Sequence, residues 1–408
     1  MTTVVHPGDS LSKPQRLVYI LVLGALVALG PFTIDLYLPA FPAISTDLGV
    51  SEAAIQLTLT ATMIGFALGQ LLVGPWSDSV GRRMPLIIAT AVHIIASFGV
   101  AFSPDIFWIG VFRVLQGMGA AGGSVVAMAM VRDLFGGLPL VRMLSRLALV
   151  TGLAPIIAPV IGSQLLLVLD WRGIFFFLAG YGILAIATAV FFLVETLPPA
   201  RRQDHGHGSA KERYRSLFTD RVFVGAAIVA GMTFSGLFAY LSSSSFLFQD
   251  NFGFSAQEFG VLFAINSFAI VIGNQVGAYI ARYVGPQWIL LGGVIGLLAS
   301  ALAIIGLSLA GAGLIGILVP LWFFILSCGF AFPMLQVLAL ANHGGEAATA
   351  ASLMGAINFG LAGSISPIVG VLGVSAVNMA GIMAVTSGVS IVIIFTLIRP
   401  WSVPALSR

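Results

Sequence analysis

The sequence predicts an all-α membrane protein with twelve transmembrane helices in two six-helix pseudo-repeats and with both termini in the cytoplasm. Three observations support this prediction. Hydrophobic residues make up 59% of the chain and charged residues only 8%, whereas a soluble domain carries about a quarter charged residues. Apolar runs of about 20 residues, long enough to cross a bilayer, recur from end to end. Arginines and lysines collect in alternate connections between these runs, as the positive-inside rule requires.

The apolar runs define the predicted spans and the domains. The spans lie near residues 17–38, 55–73, 84–102, 106–130, 147–169, 174–194, 222–246, 259–280, 288–310, 314–340, 347–372 and 379–398. The predicted domains are a cytoplasmic tail (1–16), a six-helix bundle (17–195), a cytoplasmic linker (196–220), a second six-helix bundle (221–399) and a tail (400–408). We expect the first span to serve as its own insertion signal, because the polar residues before it lack the apolar core of a cleaved signal peptide.

The cationic residues set the predicted orientation. With the N-terminus inside, only Arg172 falls in an outer connection and only Arg113 falls within a span. The single cysteine, Cys328, excludes an internal disulfide. His205 and His207 lie beside glycines in the charged linker, which favours a solvated pair over a metal site.

One short connection, between the second and third spans, holds an unusual set of residues. Gly74, Asp78, Gly81, Arg82 and Arg83 fall within ten positions. Glycines allow two helix ends to approach closely, and the carboxylate of Asp78 can accept charge-assisted hydrogen bonds from guanidinium groups or helix N-terminal amides. The arginines also serve as a topology anchor, which is the simpler interpretation of the same residues.

Two charged residues fall inside spans, where a charge costs at least about 2.5–3.5 kcal/mol. Asp35 lies roughly 27 Å along the first span, and Arg113 lies roughly 12 Å below the outer surface on the fourth. Their similar depth predicts that they pair. A proton-binding carboxyl whose proton affinity depends on Arg113 is one interpretation; a static salt bridge between helices, worth little net stability, is the other.

Further residues in the spans are candidates for bending a helix or for contacting a substrate. Gly152, Pro155, Pro159 and Gly162 belong to the fifth span, where each proline frees a backbone carbonyl and permits a bend. Phe234 and Phe238 share one face of the seventh span and either line an apolar pocket or pack against another helix. Polar side chains within spans either bond neighbouring helices or contact the substrate. His93 is a candidate for a second residue that titrates during transport. The candidates for the substrate cavity are Tyr37, Gln116, Phe234, Phe238, Asn266 and Asn358.

Several of these motifs resemble those of the major facilitator superfamily of secondary transporters. The connection from Gly74 to Arg83 is similar to its loop between helices 2 and 3, which acts as a gate on the inner side. Arg113 with Gln116 resembles its fourth-helix signature, whose arginine is linked to proton transfer. The fifth-span residues resemble its antiporter motif. The segments at 34–42, 65–71, 131–135 and 195–198 resemble the Bcr/CflA family of bicyclomycin and chloramphenicol exporters.

This resemblance implies the major facilitator fold and a multidrug efflux function. The implied protein is a drug:proton antiporter of the inner membrane that works by alternating access. Independently of the resemblance, we expect a monomer. Its substrates would be amphipathic antibiotics such as phenicols, and its partners protons and the lipid bilayer. Asp35 and Arg113 would couple the proton, and Asp78, Arg82 and Arg83 would form the gate. No metal, cofactor or nucleic acid is implied.

Two other functions stay open at this point. The first is proton-coupled uptake or export of a small metabolite, such as a sugar or an amino-acid derivative, by the same fold; the two prolines of the fifth span argue against uptake. The second is a membrane-embedded enzyme, which would need His, Asp, Ser or Glu clustered near one interface, and the sequence holds no such cluster. The sequence does not fix the drug or metabolite, the breadth of substrates, the proton stoichiometry, the oligomeric state or the role of His93.

Overall fold

The computed structural model describes residues 8, 11–202, 210–343 and 347–403, and in these residues the chain is helical. The helices are α1 (Lys13–Asp35), α2 (Phe41–Leu48), α3 (Glu52–Val80), α4 (Arg83–Ala101), α5 (Ile106–Leu134), α6 (Gly137–Leu165), α7 (Trp171–Phe192), α8 (Pro199–Arg202), α9 (Ala210–Thr219), α10 (Arg221–Phe246), α11 (Ala256–Ile280), α12 (Pro286–Leu309), α13 (Gly313–Leu340), α14 (Ala347–Leu372) and α15 (Ala376–Ile393). His205 and His207 lie outside the described residues, so the prediction about them stays a prediction.

Twelve of the helical segments are long and apolar enough to cross a membrane, which confirms the predicted number of spans. Several helices extend past the predicted ends, because backbone hydrogen bonding continues into polar residues that hydropathy does not count. The second span reaches Val80 and the third begins at Arg83. The connection predicted from Gly74 to Arg83 is therefore only two residues long, Gly81 and Arg82.

Most of the long helices begin at a short polar residue whose side chain satisfies the free amides of the first turn. Asp105 accepts a hydrogen bond from the Trp108 amide at 3.1 Å, and Asp170 accepts one from Gly173 at 3.1 Å. Ser255 and Glu258 form a capping box at the start of α11. These caps place the acidic residues in the connections and leave the spans apolar.

Contacts divide the chain into two compact units. The first comprises Met1–Tyr37 and Ala61–His207, and the second comprises Leu38–Thr60 and Gly208–Arg408. In the first unit α1 packs against α5, α6 and α7, while α4 packs between α5 and α7; in the second, α10 packs against α13, α14 and α15. The predicted bundles at 17–195 and 221–399 stay a prediction, because the segment 38–60 packs with the second unit.

Hydrogen bonds and aromatic packing hold the segment 38–60 within the second unit. Ser245 on α10 donates to the Leu38 carbonyl at 2.6 Å, and Gln249 donates to the Pro39 carbonyl at 3.1 Å. The rings of Phe41 and Phe246 lie 5.7 Å apart. The chain just after Tyr37 is thus fixed to α10 through its backbone.

The fifth span, α6, contains both predicted prolines, Pro155 and Pro159, inside the helix. Its two predicted glycines differ in their surroundings. A Cβ atom added to Gly162 would overlap the carbonyl group of Leu36 on α1, whereas one added to Gly152 would meet nothing within 4 Å. Only Gly162 is required for the close approach of α6 to α1.

We expect Gly162→Ala to lower the free energy of unfolding by about 1–3 kcal/mol, because the methyl group meets backbone that cannot turn aside. Gly152→Ala is the matched control on the same helix, and it should be neutral or stabilising by up to about 1 kcal/mol because alanine favours a helix. Thermal unfolding of both variants in detergent checks this. Equal midpoints would contradict the close packing at Gly162.

Candidate functional site

The side chain of Arg113 on α5 is fully buried, with 0% of its surface exposed. Its Nη1 donates to Gln116 Oε1 at 2.6 Å and its Nη2 donates to the Thr33 carbonyl at 3.0 Å. The guanidinium carbon lies 4.0 Å from the centre of the Tyr37 ring, a cation–π distance. A buried positive charge is therefore held by neutral groups of α1 and α5.

Asp35 is the last residue of α1 and is 5% exposed. The predicted ion pair between Asp35 and Arg113 was wrong, since neither an ion pair nor a hydrogen bond of the Asp35 carboxyl is found in the described part of the chain. The helix explains this. Arg113 contacts Thr33 and Tyr37, which are four residues apart and share a face, whereas Asp35 is two residues from each and is turned about 200° away.

The surroundings of Asp35 suit a group that binds and releases a proton. A buried carboxyl without a partner is held at lower cost as the neutral acid than as the carboxylate. The carbonyl of Leu36, the next residue, lies against Gly162 of α6. Asp35 thus sits on the turn of α1 that contacts both α5 and α6.

Tyr37 and Gln116 were predicted to line the substrate cavity, and that role stays a prediction. In the structure both are buried and contact Arg113. The Tyr37 ring also packs on Phe175 of α7, with the ring centres 5.7 Å apart. Both residues therefore fix the guanidinium.

A second cluster of charged residues surrounds the connection between α3 and α4, and we call Asp78, Arg82, Asp133 and Glu195 the charge cluster. Arg82 is 4% exposed. Its guanidinium forms an ion pair with Asp78 and another with Asp133, where Nε and Oδ2 are 2.8 Å apart. Burial alone would lower the pKa of Arg82, but the hydrogen bonds and charges of Asp133 and Asp78 outweigh it and the pKa is raised. Arg82 is held as a cation.

Glu195 follows α7 and caps the start of α4. Its carboxylate accepts hydrogen bonds from the backbone amides of Arg82 at 2.8 Å, Arg83 at 3.1 Å and Leu197 at 2.9 Å. Burial raises its pKa, but these amides and the charge of Arg202 outweigh burial, so the pKa is lowered. A carboxylate at a helix N-terminus also gains from the helix dipole.

Gly81 is required at this connection for two reasons. Its φ of 107° lies in the region that favours glycine. A Cβ atom there would lie 2.6 Å from Glu195 Oε2 and 2.6 Å from Arg202 Nη2. Any larger residue would therefore separate Glu195 from the amides of α4.

The structure brings together only part of the predicted gate. Asp78 and Arg82 pair, but Arg83 donates to the Val190 carbonyl at 2.6 Å. Gly74 lies inside α3, where its carbonyl accepts a hydrogen bond from Ser77 at 2.8 Å. Sequence reasoning missed Asp133 and Glu195 as members of the cluster. The sequence did contain an indication of their role, since each is an acidic residue just beyond a predicted span, in a connection otherwise rich in arginine.

The second unit contains an aromatic cluster around Phe234 on α10. Its ring centre lies 6.2 Å from Phe238, 6.3 Å from Phe332 and 5.3 Å from Phe359. The neighbouring Asn358 has a buried Oδ1 atom without a hydrogen-bond partner in the described residues. A partly exposed group of aromatic rings such as this one can bind an aromatic molecule.

Asn266, also predicted to line the cavity, has a different environment. It is 2% exposed and its Nδ2 donates to the Tyr240 hydroxyl at 3.1 Å. The Tyr240 ring in turn stacks on Phe263 at 5.7 Å. Asn266 therefore joins α11 to α10, and a contact with substrate stays a prediction.

The lowered pKa of Glu195 predicts how stability depends on pH. The stabilisation is present above the ordinary carboxyl value near 4.5 and is lost as the pH falls through the lowered folded-state value. We expect the thermal unfolding midpoint of the wild type to fall on acidification from about pH 6 to about pH 3. In Glu195→Gln the midpoint should be lower at neutral pH and should fall less; parallel curves for the two proteins would contradict this.

The family and relatives of the chain agree with these features. Residues 21–367 match the model of the Major Facilitator Superfamily. The chain is 35% identical to a Bacillus subtilis protein named Uncharacterized MFS-type transporter YdgK, covering 94% of this chain and 96% of that protein. It is 30% identical to a Bicyclomycin resistance protein homolog of Haemophilus influenzae, covering 93% and 95%. It is 29% identical to Multidrug resistance protein MdtL of Vibrio parahaemolyticus, covering 94% and 96%.

A solved structure is similar in fold. The xylose transporter XylE from E. coli, in a partially occluded inward open conformation, matches with a TM-score of 0.75 at 13% identity, covering 96% of this chain and 99% of that chain. These matches confirm the resemblance seen in the sequence, including the twelve-helix fold and the location in the inner membrane. The chain belongs to the Major Facilitator Superfamily as a multi-pass membrane transporter, and its relatives include bicyclomycin and multidrug resistance proteins.

Proposed function

We propose that the protein exports amphipathic drugs in exchange for protons by alternating access. The observation that carries this proposal is the buried environment of the Asp35 carboxyl. It is a buried carboxyl on a transmembrane helix, with no ion pair or hydrogen bond among the described residues. Intramembrane acids of this kind mark proton relays in transporters. The relatives named for resistance to bicyclomycin and to multiple drugs support drugs as the substrates.

In this mechanism Asp35 binds a proton from the outer side and releases it to the cytoplasm, and drug moves the opposite way. Arg113 keeps its charge throughout, because a guanidinium is not deprotonated in proteins, and its Nη1 and Nη2 atoms are held by Gln116 and Thr33. A fixed cation on the neighbouring helix favours the carboxylate whenever the turn of α1 brings Asp35 toward it. The two charges need no permanent pair for this coupling.

The charge cluster serves as the gate on the cytoplasmic side. Arg82 joins the connection between α3 and α4 to Asp133 at the end of α5, and Glu195 joins it to the chain after α7. These bonds tie together the ends of four helices of the first unit at one point. The first unit can then move as a rigid body, which alternating access requires.

The aromatic cluster around Phe234 is the proposed contact surface for drug in the second unit. Phe234 is partly exposed, and Asn358, which precedes the cluster residue Phe359 in the sequence, has a buried acceptor without a partner in the described residues. No carboxylate or cation is buried in the described transmembrane part of this unit. The surface therefore suits an uncharged aromatic portion of a drug.

Replacing Asp35 tests the proposal. We expect Asp35→Asn to insert normally but to reduce the drug resistance of an efflux-deficient host to that of the empty host, because the amide cannot carry a proton. In inverted vesicles acidified inside, added drug should release protons from the wild type and not from the variant. Asp250→Asn, which changes an exposed carboxyl, is the control. Full resistance with Asp35→Asn would refute the proposal, as would resistance in the wild type that a proton uncoupler leaves intact.

Replacing Phe234 tests the contact surface separately. We expect Phe234→Ala to raise the half-saturating drug concentration about tenfold, the loss expected for one aromatic contact, with the pH dependence of efflux unchanged. Phe268→Ala, which removes a ring that is 55% exposed on α11, is the control. Equal half-saturating concentrations for the two variants would exclude Phe234 from the drug site.

A further inference from the structure

We propose that His93 is a positioning residue for Arg113 and that it acts as a neutral imidazole with its proton on Nδ1. This inference deepens the proposed function, because it rests on Arg113 being part of the coupling site. It excludes the alternative that His93 itself carries protons during transport. The inference follows from the hydrogen bonds between α4 and α5.

The hydrogen bonds of Gln116 have directions that can be assigned without ambiguity. The Arg113 guanidinium can only donate, so the atom it contacts at 2.6 Å is the amide oxygen of Gln116. The amide nitrogen of Gln116 must therefore be the atom that donates to Ser97 Oγ at 2.7 Å. Ser97 then uses its own hydrogen to donate to the His93 carbonyl at 2.7 Å.

The His93 ring closes this network from the other side. Its Nδ1 lies 3.3 Å from the backbone carbonyl of Gln116. A carbonyl oxygen can only accept, so Nδ1 carries the hydrogen. Both the ring and the carbonyl of His93 thus contact Gln116, the second contact passing through Ser97, and they fix the residue that holds Arg113.

The remaining ring nitrogen, Nε2, is buried without a hydrogen-bond partner in the described residues. In the neutral Nδ1–H form this nitrogen carries only a lone pair. A proton on Nε2 would create a buried N–H donor with no acceptor, which costs free energy. It would also add a second cation to a network that already holds the charge of Arg113.

Two neighbouring helices pack closely on His93 through glycines, and the residue is fully buried. A Cβ atom on Gly119 of α5 would lie 2.6 Å from the His93 amide nitrogen, and one on Gly182 of α7 would lie 3.4 Å from His93 Cδ2. The two helices packed most closely on α4 are α5 and α7. Their titratable groups near this point are Arg113 and Tyr181, and Tyr181 donates to the Ala25 carbonyl at 2.8 Å. Neither offers a carboxylate that would stabilise a charged His93.

The protonation state can be measured directly by solid-state NMR of ¹⁵N-histidine protein in lipid. The His93 signals are assigned as those absent from His93→Asn. We expect the Nδ1–H tautomer with unchanged shifts from about pH 5 to about pH 8, the range in which histidines ordinarily titrate. An Nε2–H tautomer, or a titration of His93 in that range, would overturn the proposal. This measurement does not depend on transport, so it stands even if drug efflux fails in the wild type.

A set of substitutions tests the positioning role. Asparagine places an amide donor near the position of Nδ1, glutamine places it near Nε2, and leucine has no donor. We expect His93→Asn to keep efflux within about threefold of the wild type with the same pH profile, and His93→Gln and His93→Leu to lose about tenfold or more, as for a lost bond within a buried charged network. Equal loss in all three, or a shifted pH profile in His93→Asn, would overturn the proposal. Absence of proton-driven efflux in the wild type would instead refute the proposed function.

Discussion

The buried charge of Arg113 is the constraint on which the first unit depends. An isolated cation in a bilayer is costly, and a neighbouring carboxylate is the simplest way to offset that cost. This chain instead uses a carbonyl, an amide oxygen and an aromatic ring, from Thr33, Gln116 and Tyr37. Thr33 belongs to α1, Tyr37 follows the end of α1, and Gln116 belongs to α5 and is bonded in turn to α4. The charge therefore requires three helices to keep a fixed arrangement.

The charge cluster also holds a buried guanidinium, that of Arg82, but it does so with charged ligands. There the guanidinium contacts two carboxylates, Asp78 and Asp133. Arg82 is itself buried, and the two carboxylates offset the cost of that burial while they fix the geometry through several directional bonds. In the proposed mechanism, a permanent pair deep in the span would occupy the carboxyl that changes its protonation. Neutral ligands for Arg113 leave Asp35 available, while paired ligands for Arg82 keep the helix ends rigid.

The sequence predicted what depends on composition and short spacing. Twelve spans follow from apolar runs, and Asp78 with Arg82 follows from a separation of four residues. It did not predict Glu195 as the cap of α4, because the contact joins residues 113 positions apart that hydropathy does not relate. It predicted the wrong partner for Arg113, because residue counting gives depth in the membrane and leaves the direction around the helix axis undetermined. The absence of a hydrogen-bond partner for Nε2 of His93 in the described residues could be recognised only from the structure, because the sequence does not show which atoms surround a buried histidine.

One turn of α1 connects these features. Thr33 and Tyr37 face α5 and hold the guanidinium, and the carbonyl of Leu36 faces Gly162 of α6. Asp35 faces neither contact. Thr33, Asp35, Leu36 and Tyr37 lie within one turn. A movement of this turn that follows a change in the charge of Asp35 must therefore displace the Leu36 carbonyl, which α6 contacts, or one of the two residues that hold Arg113. Interiors this closely packed transmit displacement and do not absorb it. In the proposed mechanism, a single proton on Asp35 would therefore alter the packing of α1 against two helices, which is the mechanical link that proton-driven transport needs.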